Sequence, residues 1–141
     1  MKSVLPLRIA SALTFIHAVL HTVGGVFGKT PPGPATFVVD TMKANPIQAL
    51  GVTRTYFEYY RGMGLGVSIS LTAESIVFWQ LSNLAKTAAP QLRPVFATFM
   101  VAYLVFALNS YLYFFAAPVL VETLIALCFL WAILAAKPAI A

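Results

Sequence analysis

Charged side chains are scarce in this chain of 141 residues, and acidic side chains are the scarcest. Charged residues make up 9% of the sequence, with nine Lys and Arg residues against four Asp and Glu residues, while hydrophobic residues reach 60%. A soluble domain carries about 25% charged residues. This shortage excludes a water-soluble globule and indicates a protein that resides in a lipid membrane.

Cysteine is nearly absent as well. Cys128 is the single cysteine, so the chain has neither an intramolecular disulfide nor a multi-cysteine metal site. His17 and His21 lie four residues apart, but one helix cannot place both imidazoles on opposite faces of a haem, and no third ligand is visible. The basic residues form no continuous run, which argues against nucleic-acid binding. We therefore expect no metal, no cofactor and no nucleic acid.

Four long apolar runs fill most of the sequence, at residues 9–27, 62–81, 95–115 and 119–136. A helix of about 20 apolar residues crosses the ~30 Å hydrocarbon core of a bilayer. The first run follows Lys2 and Arg8, as in a signal peptide, but it lacks an A-x-A cleavage site and is expected to be retained. The runs predict an all-α membrane protein, with residues 1–141 forming a single bundle of four transmembrane helices.

The connections between the runs predict further local structure. Residues 34–44 are typical of a short amphipathic surface helix between the first two spans. Thr55 and Glu58 have the spacing of a capping box and predict the start of the second long helix. The connection at residues 116–118 is so short that the last two helices should be antiparallel neighbours.

Basic residues near the span ends suggest a topology. Four spans place both termini on one side of the membrane, and the positive-inside rule then favours cytoplasmic termini in a bacterial inner membrane. The terminal side carries Lys2, Arg8, Lys86, Arg93 and Lys137, and the other side carries Lys29, Lys43, Arg54 and Arg61.

Polar residues within the spans are the candidate ligand-binding residues, because ionisable groups in hydrocarbon are costly. A helix rises 1.5 Å per residue, so position in each span gives an approximate depth. Depth predicts two inward-facing polar layers, one with His21, Asn109 and Glu122, and one with His17 and Glu74.

Small residues in the second span indicate a packing face. Gly62, Gly66 and Ser70 recur every four residues and lead to Glu74. Such small-xxx-small stripes let membrane helices approach closely. We expect this stripe to face the interior of the bundle.

Four functions are compatible with these residues, and no catalytic residue can be assigned. In the first, the protein binds a membrane lipid or another hydrophobic molecule, such as an isoprenoid or quinone, with its polar end at Glu122, His21 and Asn109. A membrane enzyme would use the same acids and imidazoles for acid–base chemistry. A proton-coupled transporter would work as a homo-oligomer with Glu74 as its carrier. In the fourth, the chain is a structural subunit whose polar layers fix helix register.

Residues 51–65, with the Trp79-Gln80-Leu81 segment and the loop at residues 28–34, resemble a family of small bacterial four-helix membrane proteins. That family has no established activity, so the resemblance implies the fold but carries no functional residue over. The helix count and the glycine-rich second helix are also similar in architecture to DoxX-type proteins.

Overall fold

The computed structural model describes residues 2–136; Lys137, counted above on the terminal side, lies outside this part. The described chain is dominated by helices, and the predicted all-α class is confirmed. A π-helical turn, His21–Val26, extends α1. The elements in chain order are α1 Val4–Leu20, α2 Pro34–Ala44, β1 Pro46–Ala49, β2 Val52–Thr55, α3 Tyr56–Ala88, α4 Arg93–Tyr113 and α5 Ala116–Ala135.

Four helical segments are long and apolar enough to cross a membrane: Val4–Val26, α3, α4 and α5. Large apolar side chains cover their outer faces, as at Ile69, Leu112 and Leu134, which are 68%, 59% and 59% exposed. In water a continuous apolar surface of this kind would drive association, whereas hydrocarbon solvates it. These features indicate a membrane protein.

The described residues form two compact units. Residues 2–17 and 71–136 form what we call the bundle unit, in which parts of all four long helices pack together. Ala18–Ser70 form the hairpin unit, which holds the π-helical turn, α2, both strands and the start of α3. The prediction of a single domain stays a prediction.

Aromatic rings from three helices form the centre of the bundle unit. Phe78 of α3 meets Phe99 of α4 and Phe129 of α5 edge-on, with ring centroids 4.8 Å and 4.7 Å apart. Phe99 stacks on Phe129 at 5.5 Å. Such pairs contribute about 0.5–1.5 kcal/mol each beyond the burial of their area. Phe114 and Phe115 alone separate α4 from α5, and the two helices pack against each other as predicted.

The start of α3 confirms the capping box. The Glu58 backbone N–H donates to the Thr55 hydroxyl at 3.1 Å, and the Thr55 backbone N–H donates to the Glu58 carboxylate at 2.7 Å. Two backbone donors that the helix leaves unpaired are thereby satisfied. Residues 34–44 form α2, the surface helix that the sequence predicted, and none of its residues is buried.

A β-hairpin that was not predicted from the sequence precedes α3. Strands β1 and β2 pair antiparallel around Leu50 and Gly51, whose φ angles are 49° and 80°. Positive φ at both central positions is the requirement of a type I′ turn, and glycine meets it without strain. A glycine between two short runs containing β-branched residues is the signal that could have revealed this hairpin.

The π-helical turn ends the first span. The Phe27 N–H donates to the Thr22 carbonyl five residues earlier, at 3.0 Å, which widens the helix locally. Gly28 follows directly, and a Cβ there would collide with the carbonyl oxygen of Gly24. Only glycine fits at this exit, and the helical segment ends at Val26, one residue before the predicted end of the first apolar run.

Gly62, Gly66 and Ser70 do not lie on the buried face of α3, and their role in helix packing stays a prediction. All three are exposed, and a Cβ at Gly62 or Gly66 would meet nothing within 4 Å. The opposite face of α3 is buried instead, because a shift of two residues turns a helix by about 200°. That face carries a serine every seven residues, namely Ser68, Ser75 and Ser82, which are 7%, 6% and 0% exposed.

We predict that Gly66→Ala leaves the protein stable, or raises its free energy of unfolding by up to about 1 kcal/mol, because alanine is the better helix former. Ser75→Val should lower it clearly, since the larger side chain overfills a tight helix contact. Unfolding in mixed micelles measures both variants. Destabilisation by Gly66→Ala equal to that by Ser75→Val would contradict the assignment of the faces.

Candidate functional site

A short hydrogen bond between two helices forms the centre of the candidate site. Tyr103 of α4 is 1% exposed, and its hydroxyl donates to Oε2 of Glu74 on α3 at 2.6 Å. Glu74 is half-buried, and it is the one charged residue of α3 between Arg61 and Lys86. An acidic side chain at this depth is thus paired with a donor from a neighbouring helix, as intramembrane acids require.

Thr14 of α1 joins this pair from a third helix. It is fully buried, and its hydroxyl lies 3.5 Å from the Tyr103 hydroxyl. The Thr14 hydroxyl donates at 2.8 Å to the carbonyl of Ala10, one turn earlier in α1. Each hydroxyl has one proton, and the bonds to Ala10 and Glu74 already use both protons. The contact between the Thr14 and Tyr103 hydroxyls is therefore the weakest interaction of the group.

Glu122 of α5 lies in the same unit and is 8% exposed. Its carboxyl group interacts with the hydroxyl of Ser110 on α4, and it is close enough to Tyr103 to act on the phenol electrostatically, as Glu74 also does. The Oε2 atom of Glu122 is buried and has no hydrogen-bond partner within residues 2–136. A buried acceptor of this kind is unusual and calls for a partner.

Serine side chains join the helices near this group. The Ser11 hydroxyl of α1 donates to the Ser75 carbonyl of α3 at 2.8 Å, and the Ser75 hydroxyl donates to the Ser11 carbonyl at 3.0 Å. At the end of the unit, the Ser3 hydroxyl donates to the carbonyl of Ala132 on α5 at 3.2 Å. Small polar residues that bond across helices in this way fix the helix packing in membranes.

The structure sorts the sequence-predicted site residues into different surroundings. Glu74 and Glu122 are in the bundle unit, and Tyr103 lies near both. His17 is half-buried near the end of the α1 part of that unit, and its pairing with Glu74 stays a prediction. His21 belongs to the hairpin unit, where it is half-buried at the start of the π-helical turn.

The predicted inward orientation of Asn109 is wrong. Its side chain is exposed, while the next residue, Ser110, is 4% exposed. One residue turns a helix by about 100°, and the buried face of α4 runs through Tyr103, Ala107 and Ser110. Depth along the membrane normal was the basis of the prediction, and depth says nothing about rotation around the helix axis.

Tyr103, Ser110 and Thr14 were not singled out in the sequence, although Tyr103 bonds to Glu74, Ser110 interacts with Glu122 and Thr14 contacts Tyr103. A tyrosine in the middle of a span, away from the aromatic residues at the membrane interface, was the available signal, because a buried phenol needs a partner. Within residues 2–136, no three His, Cys, Asp or Glu side chains lie together as a metal site would require. The site offers a phenol, two carboxyl groups and hydroxyls, which can exchange hydrogen bonds and protons.

No protein-family profile, curated protein or solved structure matches the chain. The resemblance to small bacterial four-helix proteins stays a prediction from residues 51–65 and the two shorter segments.

We predict that Tyr103→Phe lowers the free energy of unfolding by about 1 kcal/mol, because it removes the donor to Glu74 and keeps the ring in place. Tyr111→Phe is the matched control on the same helix, since Tyr111 is 74% exposed. Unfolding in mixed micelles compares the two. Equal stability of the Tyr103→Phe variant and the unmodified protein would mean that the hydrogen bond contributes nothing.

Proposed function

We propose that this membrane protein binds a hydrophobic or amphipathic ligand, of the lipid, isoprenoid or quinone class, with the polar end of the ligand at Glu122. The observation that carries the proposal is the buried Oε2 atom of Glu122, which has no partner in the described chain. Leaving such a group unsatisfied costs about 1–3 kcal/mol. A ligand that supplies the missing hydrogen bond recovers this free energy.

The surroundings of Glu122 suit the apolar part of such a ligand. Apart from Thr123 and Cys128, the remaining residues of α5 are apolar. Leu120 and Leu124 flank Glu122 on the exposed side of the helix, at 62% and 40% exposure. A few polar groups in an apolar setting are typical of sites for small hydrophobic molecules.

His21 is a second position that supports ligand binding. Its Nδ1 atom is buried, and no hydrogen-bond partner for it lies within residues 2–136. It begins a π-helical turn, and such turns occur often at functional sites. Asn109, which is exposed, has less support as a ligand contact than Ser110.

Acid–base catalysis on a lipid-like substrate is the second candidate, and one observation favours it. One buried phenol, Tyr103, donates a short hydrogen bond to Glu74, and a second carboxyl group, of Glu122, lies in the same unit. Such an arrangement can move a proton between sites on a bound molecule. Chromatographic analysis of each bound ligand after incubation separates the two functions: recovery of the ligand unchanged supports binding alone.

We further propose that the membrane is a bacterial inner membrane and that both termini are cytoplasmic. The support for this orientation is the excess of basic residues on the terminal side, five against four when Lys137 is counted.

We predict that the purified protein is stabilised by decylubiquinone, geranylgeraniol or phosphatidylethanolamine, and that Glu122→Gln reduces this stabilisation strongly. A ligand at one hundred times its Kd contributes about 2.7 kcal/mol, which a thermal unfolding series in detergent detects. Glu58→Gln is the matched control, because its carboxylate is exposed at the start of α3.

His21→Ala tests the second position in the same series. The absence of stabilisation by any of the three compounds would count against the proposal. Equal stabilisation of the unmodified protein, Glu122→Gln and His21→Ala would also contradict it.

A further inference from the structure

Two open grooves lie side by side at the N-terminal end of α1, within the bundle unit. One has a volume of about 460 Å³ and is lined by Lys2, Leu5, Trp131 and Ala135. The other has a volume of about 500 Å³ and is lined by Val4, Leu5, Arg8 and Lys86. Leu5 belongs to both, so the grooves follow the two sides of the first turns of α1. None of these residues belongs to the group around Glu122.

Within residues 2–136, the grooves carry positive charge without a compensating acid. Lys2, Arg8 and Lys86 line them, and the ion pair found within residues 2–136, Lys43 with Asp40, belongs to the hairpin unit. The acids of the bundle unit, Glu74 and Glu122, lie far along their helices. Glu74, for example, precedes Lys86 by about 18 Å of helix. An anion is therefore the complement that this end of the unit lacks.

Apolar and aromatic groups adjoin these cations. Leu5 is 55% exposed, and Trp131 is 47% exposed in the first groove. The Arg8 guanidinium lies 5.0 Å from the ring centroid of Trp79, which is 50% exposed. Tryptophan is enriched at the level of the lipid headgroups, and lysine and arginine reach that level from the ends of spans. The grooves therefore combine hydrocarbon-compatible walls with a cationic rim.

We propose that these paired grooves bind anionic phospholipid. Lys2 in the first groove and Arg8 with Lys86 in the second attract the phosphate, and the start of an acyl chain lies against Leu5, which lines both grooves. Basic pockets between membrane helices bind anionic headgroups in this manner. A free phosphate would meet the cations but would leave the apolar walls uncovered, so the lipid is the better complement. This site is independent of the ligand proposed at Glu122.

The two tryptophans of the chain provide the measurement, because Trp79 and Trp131 both lie at this site. Brominated acyl chains quench tryptophan fluorescence on contact, so titration of the detergent-solubilised protein with brominated phosphatidylglycerol or brominated phosphatidylcholine gives an apparent affinity for each. We expect the apparent affinity for phosphatidylglycerol to exceed that for phosphatidylcholine by about tenfold or more, since each cation attracts the anionic headgroup. Added salt should reduce this preference.

Substitutions assign the preference to the grooves. The single substitution Lys86→Gln keeps the Arg8–Trp79 contact and should weaken the preference for phosphatidylglycerol. The triple variant with Lys2→Gln, Arg8→Gln and Lys86→Gln should abolish that preference. Lys29→Gln with Lys43→Gln and Arg54→Gln is the control, because it removes the same charge from exposed positions of the hairpin unit. Circular dichroism and gel filtration verify that each variant is folded.

Three results would overturn this proposal. They are equal quenching of the unmodified protein by the two lipids, an unchanged preference in the groove variant, and an equal loss in the control variant. Displacement of brominated phosphatidylglycerol by millimolar inorganic phosphate, as effective as displacement by unlabelled phosphatidylglycerol, would assign the cations to a soluble anion instead.

Discussion

The hydrogen bond from Tyr103 to Glu74 joins α4 to α3, two helices long and apolar enough to cross a membrane. Burial of apolar surface drives folding in water, but it cannot hold helices together when lipid tails are equally apolar. Polar contacts and close packing must then fix which helix faces meet. In the bundle unit, Ser11 and Ser75 join α1 to α3, Ser3 joins α1 to α5, and Ser110 with Glu122 joins α4 to α5. The rings around Phe78 fill the space between these contacts.

This arrangement explains why the two acids of the bundle unit differ. Glu74 has its donor in Tyr103, so its main effect is on how α3 and α4 pack. Glu122 keeps an oxygen atom that nothing in the described chain satisfies, although the side chain is almost entirely buried. Glu74 therefore has a contact between helices, whereas the unpaired oxygen of Glu122 is the basis of the ligand site that we propose. The grooves at the start of α1 are chemically distinct, because they are lined by lysine and arginine and not by acids.

Much of the architecture could be predicted from the sequence, for physical reasons that the structure makes clear. The length of an apolar run reports directly on a membrane span, and Thr55 with Glu58 is a local signal that needs no tertiary contact to form. The β-hairpin was missed because its strands have four residues each, too few for a clear alternation, although Gly51 marked its turn.

The site itself was only partly predictable. In a soluble helix, polar residues mark the outer face, but a membrane helix is apolar on its outer face as well, so hydrophobic periodicity does not reveal its rotation. For that reason Gly66 was expected to face the interior but is exposed. Ser75, nine residues further along α3, makes the close contact with Ser11 of α1. Glu74 and Glu122 were found because a charge in hydrocarbon is costly on any face. Their neighbours Tyr103 and Ser110 depend on packing between helices, which sequence alone does not contain.

A double-mutant cycle with Glu74→Gln and Tyr103→Phe, measured by unfolding in mixed micelles, tests the central claim that this hydrogen bond fixes the packing of the bundle unit. Polar contacts between membrane helices show coupling free energies of about 0.6 kcal/mol on average and about 1.7 kcal/mol at most. A buried and short bond should lie in the upper part of that range. A coupling free energy of zero, with the two single substitutions simply additive, would contradict the account.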